Sequence, residues 1–349
     1  MVAGGTCPSS RVLGLPQVTY SEVNSSPAGS WTVADRHELF VTDRPFPDTG
    51  TLTLAAPPAL TPHLLRGALR SPFKRPRPDA SVPPGRLVVR DLRVDLARLA
   101  AYERVCGFAT GSDAVPVTYP HVLGFPLAMR VMASRPFPLP LLGLVHTSLE
   151  IRQWRAPAAT GTYGLSVYVE GLAPHRRGTE ARIVTEMRDA GELVWASRST
   201  YLARHRTDAG TLPASPEPAP PGSADAAAPP LTARAEWRLG ADVGRRYGAV
   251  SGDRNPIHLH PLTARLFGFP RAVAHGMWSV ARCLAQQGPL GPVQVRADFK
   301  APVPLPGTVV YAADGPAFAL RAPADAGETG RPHLTGEVRR RPGTGAGPV

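Results

Sequence analysis

Lysine is almost missing from this 349-residue chain: Lys74 and Lys300 are the only two. Arginine therefore carries nearly all the positive charge, and the formal net charge is +12 with a pI near 10.4. Part of that bias matches GC-rich codon usage, which favours Arg, Ala, Pro and Gly. A basic surface favours anionic partners, among them nucleic acid, a phosphate-bearing cofactor and an acidic carrier protein. The arginines are dispersed, and neither an interleaved aromatic platform nor a helix-turn-helix pattern accompanies them, so nucleic acid is not expected. Cysteine is scarce too: Cys7, Cys106 and Cys283 are too few and too scattered for a disulfide framework or a zinc site. A reducing cytoplasm is the compartment expected. Long apolar runs are absent, which argues against a membrane span, and the first residues lack the charged and apolar regions of a signal peptide.

Proline and glycine, by contrast, are in excess, 41 and 34 residues, and cluster outside the patterned segments. Hydrophobic residues still make up 43% of the chain, enough for a folded body with irregular stretches. Residues 1–84 are weakly patterned, with short strands expected at HELFVTD (37–43) and TLTLAA (51–56) and a basic, Pro-rich connector at 69–85. Residues 207–231 hold almost no large apolar side chain and read as a linker, and the tail from 343 reads as frayed.

Two blocks remain, 85–206 and 232–342, and they look alike. Tyr102 precedes Cys106-Gly107-Phe108 in the first, as Tyr247 precedes Ser251-Gly252-Asp253 in the second. Apolar segments at helical spacing follow, PHVLGFPLAMRVMA (120–133) and RAVAHGMWSVARCLA (271–285). Strand-like runs come next, at 141–151, 162–172 and 181–189 in the first block and at 291–301, 308–313 and 333–340 in the second. One helix followed by several strands, twice, predicts an α+β fold of two similar halves.

The chemistry concentrates between Tyr247 and Met277. Asp253 and His258 flank Asn255-Pro256, and Pro256 fixes its own φ while steering Asn255 away from helix. A bend of that kind can deliver a carboxylate and an imidazole to one water and move protons on adjacent carbons. On residue types alone, the alternative is a plain turn with His258 as a cap or buried polar group. His258 and His260 form a His-x-His pair, but no cysteine or carboxylate cluster completes a coordination set, so no metal is expected. Tyr247, Phe267 and Phe269 read as packing.

The run Tyr-Gly-Ala-Val-Ser-Gly-Asp-x-Asn-Pro-Ile-His from Tyr247, with Ala264 after it and GFPRAVAHGM beyond, resembles the signature of the MaoC-like (R)-specific enoyl hydratases, or hydratase 2. The resemblance covers about 247–310, and the first block is similar to the inactive half of double hot-dog members. It implies a double hot-dog, two antiparallel sheets each wrapped around a central helix, with the N-terminal half degenerate. It further implies Asp253 and His258 as the acid–base pair, Asn255 orienting the site, and Gly276 donating its N–H to the thioester carbonyl. Ser251 and His275 are expected beside the substrate, His275 being equally readable as structural. Arg296 and Lys300 are candidates for phosphates of coenzyme A or a phosphopantetheine arm, or else a solvated strand face. By the same alignment Phe108 takes the Asp253 position, Asp113 that of His258 and Pro126 that of Gly276, leaving one site per chain. The implied reaction is reversible hydration of trans-2-enoyl thioesters to (3R)-hydroxyacyl thioesters in fatty acid metabolism. No cofactor is expected beyond the CoA or carrier moiety of the substrate, and a monomer or homodimer is allowed. A hot-dog thioesterase and a non-catalytic acyl-binding module are the competing readings.

Overall fold

A computed structural model of the chain describes residues 50–207, 231–324 and 329–341. The expected strand at 37–43 and nearly all of the expected linker lie outside them. The first half is built of β2 (Arg86–Arg93), α2 (Leu96–Cys106), α3 (Tyr119–Met132), β3 (Val145–Gln153), β4 (Thr162–His175), β5 (Gly178–Asp189) and β6 (Glu192–Arg204). The second runs β7 (Ala233–Leu239), α4 (Val243–Ser251), α5 (Pro256–Leu259), α6 (Pro261–Leu266), α7 (Gly276–Ala285), β8 (Val293–Phe299), β9 (Gly307–Asp314), β10 (Ala317–Arg321) and β11 (Pro332–Arg340).

The strand order is the same in both halves. It is β2-β4-β5-β6-β3 in the first and β7-β9-β10-β11-β8 in the second, with antiparallel pairing throughout. Corresponding strands β3 and β8 pair with each other, setting Leu149 against Ala297 and Ile151 against Val295. The two sheets are thereby joined edge to edge into one of eleven strands. Leu149, Ile151, Val295 and Ala297 are fully buried along this seam. Each larger aliphatic among them contributes about 1.5–3 kcal/mol by leaving water. The central helices α3 and α7 cover the sheet, α3 over Val167 and Ile183, α7 in the core around Val295 and Phe318. This is the double hot-dog that the sequence implied.

The helices α2 and α4 show the duplication most closely. Each ends on a glycine in the left-handed region, Gly107 at φ 81° and Gly252 at φ 83°, whose N–H closes on Glu103 or Gly248. That bend aims Phe108 in one half and Asp253 in the other. Tyr102 and Tyr247 meet across the pseudo-twofold axis with ring centroids 6.1 Å apart. Arg98 Nε–H donates to the Val250 carbonyl at 2.7 Å, and Trp278 Nε1–H to that of Val105 at 3.0 Å, tying the halves together.

Two details differ from expectation. Pro126 lies well inside α3 rather than at its start; the first helical position, matching Gly276, is held by Tyr119. The Pro-rich region before the first half also contains a helix, α1 (Leu60–Arg70), beside the short strand β1 (Thr51–Leu54). Beyond α1 the connector is pinned rather than loose: the Lys74 ammonium donates to the carbonyls of Ser134, Arg135 and Phe137. No helix among the described residues is long and apolar enough to cross a membrane.

Candidate active site

The turn after α4 is fastened by its own side chains. Ser251 Oγ–H donates to the Tyr247 carbonyl at 2.8 Å and accepts from the Asp253 N–H at 3.1 Å. Asp253 Oδ1 accepts from the Asn255 N–H, and Asn255 Oδ1 caps α5 through the Ile257 N–H. These local bonds hold the bend that Pro256 begins.

His258, on α5, is buried and places Nδ1 2.7 Å from the Val273 carbonyl. A carbonyl only accepts, so Nδ1 carries the proton and Nε2 keeps its lone pair. His275 immediately precedes α7 and donates from Nε2 to the Asp253 carbonyl at 2.9 Å. Its ring stacks on His258 with centroids 3.7 Å apart and also meets Tyr247 at 4.8 Å. The carboxylate of Asp253 and one ring nitrogen from each histidine lie within 4.8 Å of one another. The two imidazoles stack 26° from parallel, so their in-plane lone pairs run alongside each other instead of converging on an ion. That arrangement suits proton transfer better than metal binding.

Burial sets the charge states. It pushes the Asp253 carboxyl above its usual 3.8, while His258 and the Asn255 N–H pull it back. Burial likewise lowers His258 below 6.5 against the pull of Asp253 and the Val273 carbonyl, and lowers His275 further. Burial thus favours neutral imidazoles and shifts the carboxyl toward its protonated form relative to a free aspartate. Asp253 keeps 29% of its side chain exposed and is the group through which the cluster meets solvent.

Gly276 follows His275 directly and is the first residue of α7, where the helix leaves its leading N–H groups without an intrahelical acceptor. A methyl group there would sit 2.8 Å from Phe299 Cε1, so only glycine lets the backbone lie this close to that ring.

In the first half the same volume is filled. Phe108 stacks on Tyr102, Tyr102 packs on Tyr119, and the Tyr102 hydroxyl is engaged by Thr118 at 2.7 Å. Asp113 is exposed, unlike buried His258.

Several expected contacts fall elsewhere. The Ser251 hydroxyl, expected beside the substrate, is engaged by the turn itself, donating to Tyr247 and accepting from Asp253. Arg296 and Lys300 alternate onto the sheet face opposite Phe299: Arg296 pairs in register with Glu150 and Glu337, and Lys300 approaches Asp298 at 3.9 Å. His260 is exposed and caps α6, its Nδ1 accepting from the Leu262 N–H. Tyr247 and Phe269 pack as expected at least in part, whereas Phe267 is 37% exposed.

The comparisons agree with this geometry. A family model described as MaoC like domain matches residues 225–314, which contain the whole cluster. The 3-hydroxyacyl-thioester dehydratase X of Mycobacterium tuberculosis is 38% identical over 283 residues, 79% of this chain and 96% of that protein. A crystal structure of HtdX from the same organism superposes with a TM-score of 0.61 at 34% identity, covering 73% of this chain and 100% of that one. A MaoC-like dehydratase from Phytophthora capsici, 17% identical, shares the fold with a TM-score of 0.55 over 76% of this chain and 98% of its own. With the Asp253–His258 turn, the glycine at the helix start and a relative aligned over most of both chains, the protein belongs to the MaoC-like dehydratase family.

Proposed function

We propose that the chain catalyses reversible addition of water to trans-2-enoyl thioesters, giving (3R)-hydroxyacyl thioesters, as a hydro-lyase of fatty acid metabolism. The observation that carries this reading is the neutral His258 ring, fixed by Val273, sharing one small volume with the Asp253 carboxyl beside the start of α7. In the dehydration direction His258 Nε2 takes the proton from C2. Charge then builds on the thioester oxygen, where the Gly276 N–H and the N-terminal end of α7 oppose it. The C3–O bond breaks as Asp253 gives its proton to the departing hydroxyl, which leaves as water. Transfer of the proton from His258 to Asp253 resets the pair. Hydration runs the same steps backwards. Asn255 holds the turn, and His275 positions both partners by stacking on one and bonding the backbone of the other. No metal or cofactor enters the scheme.

We further infer that an acidic carrier protein presents the thioester. The first residue of α1, Leu60, reaches within 2.6 Å of where a side chain on Gly252 would begin, so α1 abuts the catalytic turn. Its outer face exposes Leu65 and Leu69 at 62% and 66%, with Phe73 just beyond at 85%. Arg66 and Arg70 flank them, and burial together with Arg66 and Arg130 at His63, and with Arg70 and Arg135 at Lys74, lowers the pKa of both groups. An apolar ridge in a basic field fits an acidic, helical partner.

Loss of enoyl absorbance from crotonyl-CoA, with chiral analysis of the product, tests the reaction. Release of free thiol without hydration would replace it with thioester hydrolysis. For the partner, Arg66→Glu with Arg70→Glu is expected to lower kcat/KM on a carrier-linked substrate at least tenfold relative to the CoA ester. An unchanged ratio removes the docking role.

A further inference from the structure

The wall facing the catalytic cluster from the non-catalytic half is polar. On β6 the inward positions read Trp195, Ser197, Ser199 and Tyr201, and the two serines are at most 2% exposed. His146, opposite Tyr201 in the β3–β6 register, stacks on it with centroids 4.6 Å apart. His121, from the first turn of α3, stands 6.2 Å from His146 and places Nδ1 3.5 Å from Ser197 Oγ. An aliphatic acyl chain gains nothing from such a lining, and buried hydroxyls and imidazoles cost free energy unless something bonds them.

This wall adjoins the reaction centre. His146 meets Phe299 at 4.6 Å between centroids, and Phe299 is the ring that lies against Gly276. Tyr201 lies near enough to Asp253 for the carboxylate to add to the effect of burial in raising its phenol. Moving away from Asp253 and Gly276, one meets Tyr201 and Phe299, then His146, then His121. The His146 ring engages the Ser148 backbone, and its Nε2 is buried with no hydrogen-bond partner among the described residues.

We propose that Tyr201, His146 and the Ser197–Ser199 stripe form an acyl-chain subsite that receives a hydroxyl group borne by the chain beyond C3. A hydroxyl both donates and accepts, so it satisfies His146 Nε2 in either tautomer and suits the neighbouring phenol and serine. The substrate class is then an acyl thioester oxygenated along its chain. This assignment rests on the acyl-thioester reading of the site, and it adds the chain chemistry that the site selects.

The test reads binding apart from turnover. Saturated hexanoyl-CoA and hydroxyhexanoyl-CoAs bearing the hydroxyl beyond C3 cannot react, and their affinities are measured by calorimetry on the full chain. At least one hydroxylated ester is expected to bind about tenfold tighter than hexanoyl-CoA, the effect of one well-placed buried hydrogen bond. His146→Phe and, separately, Ser199→Ala are expected to bring that ratio to about one, with melting curves confirming that each variant is folded. Equal binding of all esters by the wild-type protein, or a ratio that both variants preserve, overturns the subsite. Binding of esters without hydration of crotonyl-CoA would defeat the catalytic proposal and leave the subsite standing. Binding of no ester at all would overturn both.

Discussion

Replacing Asp253 with asparagine is expected to remove activity while leaving the fold intact or firmer. Asparagine keeps the side-chain volume and an Oδ1 able to accept from the Asn255 N–H, which Asp253 does at 3.2 Å. The turn therefore persists, but the proton that leaves with the C3 hydroxyl is gone. A positioned general acid contributes about 10²–10⁴-fold, so the barrier rises by about 3–5 kcal/mol. Stability moves the other way. Burial is the largest influence on Asp253 and raises its pKa above 3.8, so the folded state binds the proton more tightly than the unfolded chain. The carboxyl's contribution is complete below 3.8 and declines as pH climbs through the raised value. Above that raised value the ionised group is a burden that the amide lifts. With 29% of the side chain exposed, water screens part of that burden, and the gain is small. Crotonyl-CoA hydration and thermal melts at neutral pH check the two arms. Turnover within tenfold of wild type would refute the acid role, and a clearly lower Tm would refute the desolvation argument.

Other outcomes follow from the same geometry. Gly276→Ala drives a methyl to 2.8 Å from Phe299 Cε1, and is expected to cost about 1–3 kcal/mol in a denaturant melt and to lower kcat. Phe299→Leu in the same background is expected to recover part of the stability. Because burial holds His258 below 6.5, the acid limb of a kcat/KM profile is expected to fall at a pH under that value as the ring protonates. A midpoint above it would mean that another group is the base. Burial also lowers His121 to about 4 and His146 to about 3. Their unfolded values lie near 6.5, so the stability they favour is whole above that pH and is lost as pH falls through it toward the folded values. His121→Phe is expected to flatten the decline, by at most about 3 kcal/mol at the acid end. Melts between neutrality and pH 4 measure it.

Local signals in the sequence carried furthest. The Gly107 and Gly252 bends are each written by a helix end and one left-handed glycine, so Phe108 and Asp253 could be matched without coordinates. Asp253 and His258 share one short turn, and their proximity needed no long-range contact. The Pro126 match failed because the apolar segment is helical from its outset in the first half, at Tyr119, but only from Gly276, the sixth residue of 271–285, in the second. Helix α1 was hidden by Pro57, Pro58 and Pro62, although proline in a first turn is compatible with helix. Arg296 and Lys300 required the phase of β8: alternation puts Phe299 toward Gly276 and sends its polar neighbours to the other face. The polar stripe of β6 was visible as Ser197, Ser199 and Tyr201 at alternate positions, but only the fold reveals that this face looks inward. The Val273 carbonyl, which fixes the His258 tautomer, leaves no trace in residue type.

The pairing of β3 with β8 has a kinetic corollary. Two separate hot-dog subunits would have to find each other, and dilution would part them. Here a shared peptide backbone holds the second subunit's equivalent permanently at high effective concentration. With both lobes on one backbone the two clefts need not match, and that of the first is packed with Phe108, Tyr102 and Tyr119.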